Sequence, residues 1–147
     1  MRSRITSALG AAVVALMLAS CAEVSEAKHT TVEPYTKVET GDKGLYRVTL
    51  TESAIARLDV KTAPVVEARG RSGAIRRVIP YGGIIYDLDG KTFAYTSPEA
   101  LVFLRQPVSI DYIDGDRVFL LSGPEVGTAV VVTGAAELYG IEFGLGK

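Results

Sequence analysis

One cysteine, one histidine, a scatter of aspartates and a group of arginines are the residues of this 147-residue chain that could do chemistry. Soft metals need Cys, Met or clustered His. Here Cys21 is the sole thiol, His29 the sole imidazole, and the two methionines are Met1 and Met17. The single cysteine excludes a disulfide within one copy. Cys–His or Ser–His–Asp catalysis needs a histidine inside a fold, whereas His29 sits in a polar stretch and reads as a solvated residue. Asp87, Asp89, Asp111, Asp114 and Asp116 could offer oxygens to a hard cation. Their spacing does not match the twelve-residue calcium loop, and Asp-Gly at hairpin turns accounts for them. Paired carboxylates for glycoside hydrolysis need a cleft, which a domain this small is not expected to build. The expectation is a chain without catalytic residues, cofactor or metal.

Two further groups could make contacts rather than bonds. Arg69, Arg71, Arg76 and Arg77 form the basic cluster, readable as a solvated loop and strand edge or as a contact for anionic headgroups or an acidic partner. Tyr81, Tyr86, Tyr95 and Tyr112 read as half-buried strand residues, some of which could line a protein interface. Near the chain end, Tyr139 and Phe143 lie with Leu138, Ile141 and Leu145 among glycines. That tail either packs back on the domain or offers a short partner-binding segment.

Cys21 has a more specific context. Arg2 and Arg4 precede an apolar run from residue 5, which ends in Leu18-Ala19-Ser20-Cys21. A basic start, a short apolar stretch and small residues at a cleavage point describe an export signal over 1–20. The run is about 16 residues, below the roughly 20 that span a bilayer. Leu-Ala-Ser-Cys resembles a bacterial lipobox, and that resemblance implies lipidation of Cys21 as the first mature residue. An exported protein held at a membrane surface by its acyl chains would follow. Removing Arg2 and Arg4 from 16 basic residues leaves 14 against 17 acidic ones. A net charge of about −3 gives no reason to expect a nucleic-acid partner.

The remaining chain must position these groups. Residues 21–44 are rich in Glu, Thr, Lys and Gly without a burying period, and are expected to be a flexible, lipidated tether. Order is expected from residue 45, with a domain over 45–136 and a tail over 137–147. Tyr46-Arg47-Val48-Thr49-Leu50 alternates as a strand. Thr51 can cap a short helix carrying Glu52, Ala54, Ile55 and Leu58. Residues 59–68 return as a strand interrupted by Pro64, which suggests an edge. Arg69-Gly70-Arg71-Ser72-Gly73 is a loop. Strands are expected over 75–80, 83–86, 91–96, 101–105, 108–113, 118–121 and 130–133, with hairpin turns at Asp87-Leu88-Asp89-Gly90 and Asp114-Gly115-Asp116. Another turn is expected at Ser97-Pro98-Glu99-Ala100, and one helical turn over 135–139. Short strands at regular spacing predict a mainly β fold, a small antiparallel β-roll or barrel-like domain with one or two short helices.

Val78-Ile79-Pro80-Tyr81-Gly82-Gly83-Ile84-Ile85-Tyr86 followed by Asp-Leu-Asp-Gly-Lys-Thr-Phe-Ala-Tyr resembles the periplasmic adaptor subunits (membrane fusion proteins) of RND-type efflux pumps. The likeness continues through Arg105-Gln106-Pro107-Val108, Asp114-Gly115-Asp116-Arg117-Val118, Leu121-Ser122-Gly123-Pro124-Glu125-Val126-Gly127-Thr128 and Val131-Val132-Thr133-Gly134-Ala135. In such adaptors this succession forms much of the membrane-proximal β domain. Thr49-Leu50-Thr51-Glu52 and Leu58-Asp59-Val60-Lys61-Thr62-Ala63-Pro64-Val65 resemble the opening of an adaptor. The lipoyl-like domain, helical hairpin and β-barrel of a full adaptor would stand between the two parts, where this chain has only residues 67–76.

The resemblance therefore implies a reduced adaptor made almost only of its membrane-proximal domain. It could not reach an outer-membrane channel. The expected role is non-enzymatic: a lipid-anchored accessory protein docking to an efflux transporter or its full-length adaptor at the outer face of the cytoplasmic membrane. The other reading is a small envelope lipoprotein that binds or senses a ligand without a transporter partner. Neither reading specifies an oligomeric state or a transported substrate.

Overall fold

The computed structural model describes residues 33–40 and 45–145. Cys21, His29, the expected signal over 1–20 and the first part of the expected tether lie outside the described residues. The described residues all belong to one unit, Val32–Lys147. No helix among them is long and apolar enough to cross a membrane.

The chain is mainly β, as its alternation predicts. It runs β1 (Tyr35–Glu39), β2 (Tyr46–Leu50), α1 (Glu52–Leu58), β3 (Lys61–Pro64), β4 (Val66–Arg69), β5 (Ile75–Pro80), a single 3₁₀ turn (Tyr81–Gly83) and β6 (Ile85–Tyr86). Then follow β7 (Thr92–Glu99), β8 (Val102–Pro107), β9 (Ser109–Asp114), β10 (Arg117–Ser122), β11 (Ala129–Thr133) and α2 (Ala135–Phe143). Seven strands form one antiparallel sheet in the order β1-β2-β8-β7-β11-β3, with β6 also on β7; four form a second, β4-β5-β10-β9.

Strand alternation sets the layers. In the larger sheet Val48 lies opposite Phe103 and Tyr95 opposite Arg105, so these share a face. That face buries Val48, Leu50, Tyr95, Phe103 and Val131 against Ala54 of α1 and Ala135 and Leu138 of α2. The other face carries Ala94 and Val130, which pack with Val65, Ile79, Val118 and Leu120 of the smaller sheet. Helices, large sheet and small sheet thus stack as three layers around two cores.

The sheets are joined at Val65. Pro64 ends β3, an edge strand of the large sheet, and Val66 starts β4, an edge strand of the small one. Pro64 cannot donate a ladder hydrogen bond, so the expected single strand over 59–68 divides there. Val65 is held by Thr128 and Gly127, to which its N–H donates and from which its carbonyl accepts, each at 2.9 Å.

Several boundaries differ from the sequence expectation for identifiable reasons. Part of the stretch read as tether is strand: β1 pairs along β2 from Tyr35 opposite Leu50 to Glu39 opposite Tyr46. It buries little, which is why no hydrophobic period marks it. The turn expected at 97–100 falls later. β7 continues to Glu99 across a register shift that accommodates Pro98, and Leu101 makes the turn with φ of 66°. The expected single helical turn over 135–139 is instead nine residues of α2, carried through Gly140 by packing rather than propensity.

Thr51 caps α1 as anticipated, its Oγ1 accepting from Ala54 N at 3.2 Å. Gly115, with φ of 61°, takes the first central position of the β9–β10 hairpin. In Pro80-Tyr81-Gly82-Gly83 the glycine at 82 is required by space, because a Cβ there would sit 2.5 Å from the Val132 carbonyl oxygen.

Two glycine substitutions should therefore move stability in opposite directions in thermal unfolding. Gly82→Ala must push β11 aside and is expected to lose about 1–3 kcal/mol. Gly140→Ala, whose Cβ meets nothing within 4 Å, should gain about 0.5–1 kcal/mol as a helix-interior glycine is removed.

Candidate interaction site

Strand alternation points Arg105 of β8 toward the same face as Phe103, and the helical spacing of Ala135, Leu138 and Glu142 puts a carboxylate on the buried stripe of α2. The two meet. Arg105 Nε donates to both Glu142 oxygens, at 3.0 and 3.1 Å, and Tyr95 Oη donates to Glu142 Oε2. The side chains of Arg105 and Glu142 are 8% and 0% exposed. Lys37 of β1 adds a 2.7 Å hydrogen bond to the Glu142 backbone carbonyl, placing a cation at the C-terminal end of the helix, where the macrodipole favours one.

This cluster is a lock, because both carboxylate oxygens are engaged by neighbours that are themselves buried. Burial holds the Tyr95 phenol far above its ordinary value of 10; the hydrogen bond to Glu142 and that carboxylate's charge push the same way, and Arg105 opposes them. The Arg105 guanidinium lies 4.4 Å from the Phe93 ring and 5.1 Å from the Phe143 ring, within cation–π range.

Tyr139 and Phe143, singled out in the tail, are brought together: their rings are 4.5 Å apart and tilted by 38°. Both line an open hollow with Leu45, Phe93 and Arg105, below the Asp87–Gly90 turn. Leu88 at the tip of that turn is fully exposed, and Phe143 is 47% exposed. The tail thus packs back on the domain and also presents an aromatic surface beside an apolar hairpin tip.

The four clustered arginines are separated. Arg76 and Arg77 alternate on β5 and so leave the sheet on opposite faces. Arg76 pairs with Asp111 at 2.9 Å, and Arg77 with Glu125 at 3.1 Å. Arg69 donates to the Gly73 carbonyl within its own loop, at 3.0 Å. Arg71 lies 4.4 Å from the Tyr112 ring, which stacks on Phe119 at 4.5 Å, and Arg117 lies 5.3 Å from the Phe119 ring. The Tyr112 hydroxyl accepts from Arg71 N at 3.0 Å. The Arg/Gly loop is therefore folded onto the outer face of the small sheet, on the far side of the domain from α2.

The aspartates are used in the same local way. Asp87 Oδ1 accepts from the N–H groups of Asp89 and Lys91 at 2.9 and 2.8 Å, and Asp114 pairs with Arg117 at 3.1 Å. Among the described residues no three His, Cys, Asp or Glu side chains are grouped to hold a metal. Comparison with known proteins finds no matching family, no matching curated protein and no matching solved structure.

Sequence reading missed the lock. Its signals are a glutamate on an apolar helical stripe and an arginine on the core face of a strand. The stripe becomes visible only if the helix is carried through Gly140.

Arg105→Met leaves a buried carboxylate unpaired and should cost about 3–5 kcal/mol in urea unfolding. Adding Glu142→Leu and Tyr95→Phe should recover most of that loss, because it removes both charges and the phenol that would lose its acceptor. Alkaline titration offers a second check. The unfolded chain releases the Tyr95 proton near pH 10, whereas the folded chain keeps it. Stability should hold below that pH and then fall by an added ~1.4 kcal/mol per unit. Tyr95→Phe should abolish this added slope.

Proposed function

We propose that this chain is a lipid-anchored, non-enzymatic accessory protein of an export system. It docks to an efflux transporter or its adaptor at the outer face of the cytoplasmic membrane and works as a scaffold. The observation that carries this reading is the junction of the two adaptor-like segments. The opening segment supplies α1 and β3; the later one supplies the end of β5 and the strands after it. β3 pairs with β11, so the segments build one domain. The Arg69–Gly73 loop stands at the tip of the β4–β5 hairpin, where the intervening domains of a full adaptor would be inserted.

The partner surface in this reading is the hollow beneath the Asp87–Gly90 turn, with Leu88 and Phe143 exposed at its rim. Large apolar and aromatic side chains beside charged ones suit a protein interface. Acyl chains on Cys21 keep that surface at the membrane.

Mild detergent extraction followed by affinity capture should co-purify a transport permease or a full-length adaptor. Leu88→Ser with Phe143→Ser should lose most of that partner while the domain stays folded. Cys21→Ser should move the protein from the membrane to the soluble fraction. Capture of a folded, membrane-bound chain with no transport component would remove the scaffolding reading.

A further inference from the structure

The helix layer leaves a second hollow, apart from the interaction surface. Pro34 just before β1, Tyr35 at its start, Leu50 at the end of β2, Ala54 and Leu58 of α1, and Ile141 of α2 line an open groove of about 200 Å³. That is smaller than the ~300–1,000 Å³ of drug-sized ligand cavities, but it shares their apolar lining with few polar groups. Its floor is core: Leu50 and Ala54 are 2% and 4% exposed. The small side chain of Ala54 leaves open the space that a larger residue would fill.

Arg57, in the last turn of α1, is the one charged residue among the described residues that line the groove. Every other arginine among the described residues meets a carboxylate or a backbone carbonyl: Arg47 meets Glu99, Arg69 the Gly73 carbonyl, Arg71 Asp114, Arg76 Asp111, Arg77 Glu125, Arg105 Glu142 and Arg117 Asp114. Arg57 makes no ion pair or hydrogen bond among the described residues. A guanidinium is shaped to take a carboxylate or phosphate through two parallel hydrogen bonds. An apolar trough with such a cation at its rim matches an apolar chain ending in an anion.

We propose that this groove binds a free single-chain anionic lipid of the fatty-acid type, its acyl chain along Tyr35, Leu58 and Ile141 and its head on Arg57. One narrow trough with one cation suits one chain and one anionic group. The site is independent of transporter docking: it uses a different surface, and its failure would leave the docking reading untouched.

The full chain in phosphatidylcholine nanodiscs can be probed with a photoactivatable fatty acid and mapped by peptide mass spectrometry. Saturable labelling is expected on peptides containing Tyr35, Leu58 and Ile141. Unlabelled saturated fatty acids should compete more strongly with length, by roughly fourfold per added methylene, until the groove is filled. Arg57→Gln, an exposed substitution, should weaken competition about two- to fivefold. A monoacyl glycerol, with no charge, should bind the wild type and Arg57→Gln alike. Labelling spread over other peptides would overturn the proposal. So would equal competition by charged and neutral chains in the wild type, or displacement by a two-chain phospholipid as efficient as by the fatty acid.

Discussion

A carboxylate with no exposed surface governs the helix layer of this fold. Removing Glu142 from water carries a desolvation cost of several kcal/mol, recovered only when its oxygens are fully engaged. Arg105 and Tyr95 engage them from neighbouring strands of the large sheet, and Lys37 takes the backbone carbonyl of the same residue from β1. Three segments far apart in sequence thus converge on one residue five positions from the chain end. α2 has little intrinsic reason to form, with a glycine in its middle and no side-chain N-cap bond. Its place on the sheet follows from Leu138 and Glu142 together, one supplying apolar contact and the other direction.

The second constraint is close approach between elements. The 3₁₀ turn at Tyr81–Gly83 passes so near β11 that both Gly82 and Gly83 abut its carbonyls, at 2.5 and 3.0 Å from where a Cβ would stand. That contact brings the end of β5, in the small sheet, against β11 of the large one. The crossover at Val65 joins the sheets a second time, with Val65 itself 1% exposed and bonded on both sides to the loop before β11. The two sheets are therefore fastened at two of the four places where the chain passes from one to the other.

Much of the fold was legible because its information is local. Alternation marked most strands, Thr51 marked the start of α1, and Asp-Gly pairs marked the two tight hairpins. What escaped is held by distant partners. β1 buries only part of Tyr35, so Tyr35–Glu39 shows no burial period; its place comes from the β2 ladder and from Lys37 reaching Tyr46 and Glu142. The candidate site divided in the same way. Tyr139 and Phe143 stood out by composition, and they do share one surface. The arginines at 69, 71, 76 and 77 are neighbours in sequence, yet a hairpin and a two-residue strand period scatter them among separate partners. Charge density along a chain is not charge density on a surface.

The groove connects these observations. Its walls are Tyr35, two residues before the lysine that holds the Glu142 carbonyl, and Ile141, the residue before Glu142 itself. Both walls pack on the apolar core of the helix layer, and each is next to a partner in the lock. If the two were drawn together by their own packing, the space between them would close. Because core packing and the neighbouring lock hold them from behind, an apolar trough can stay open at the surface of a small domain. The same buried carboxylate that anchors α2 thereby stands between both hollows beside it: the aromatic one carrying Phe143 and the apolar one carrying Ile141, the residues on either side of Glu142.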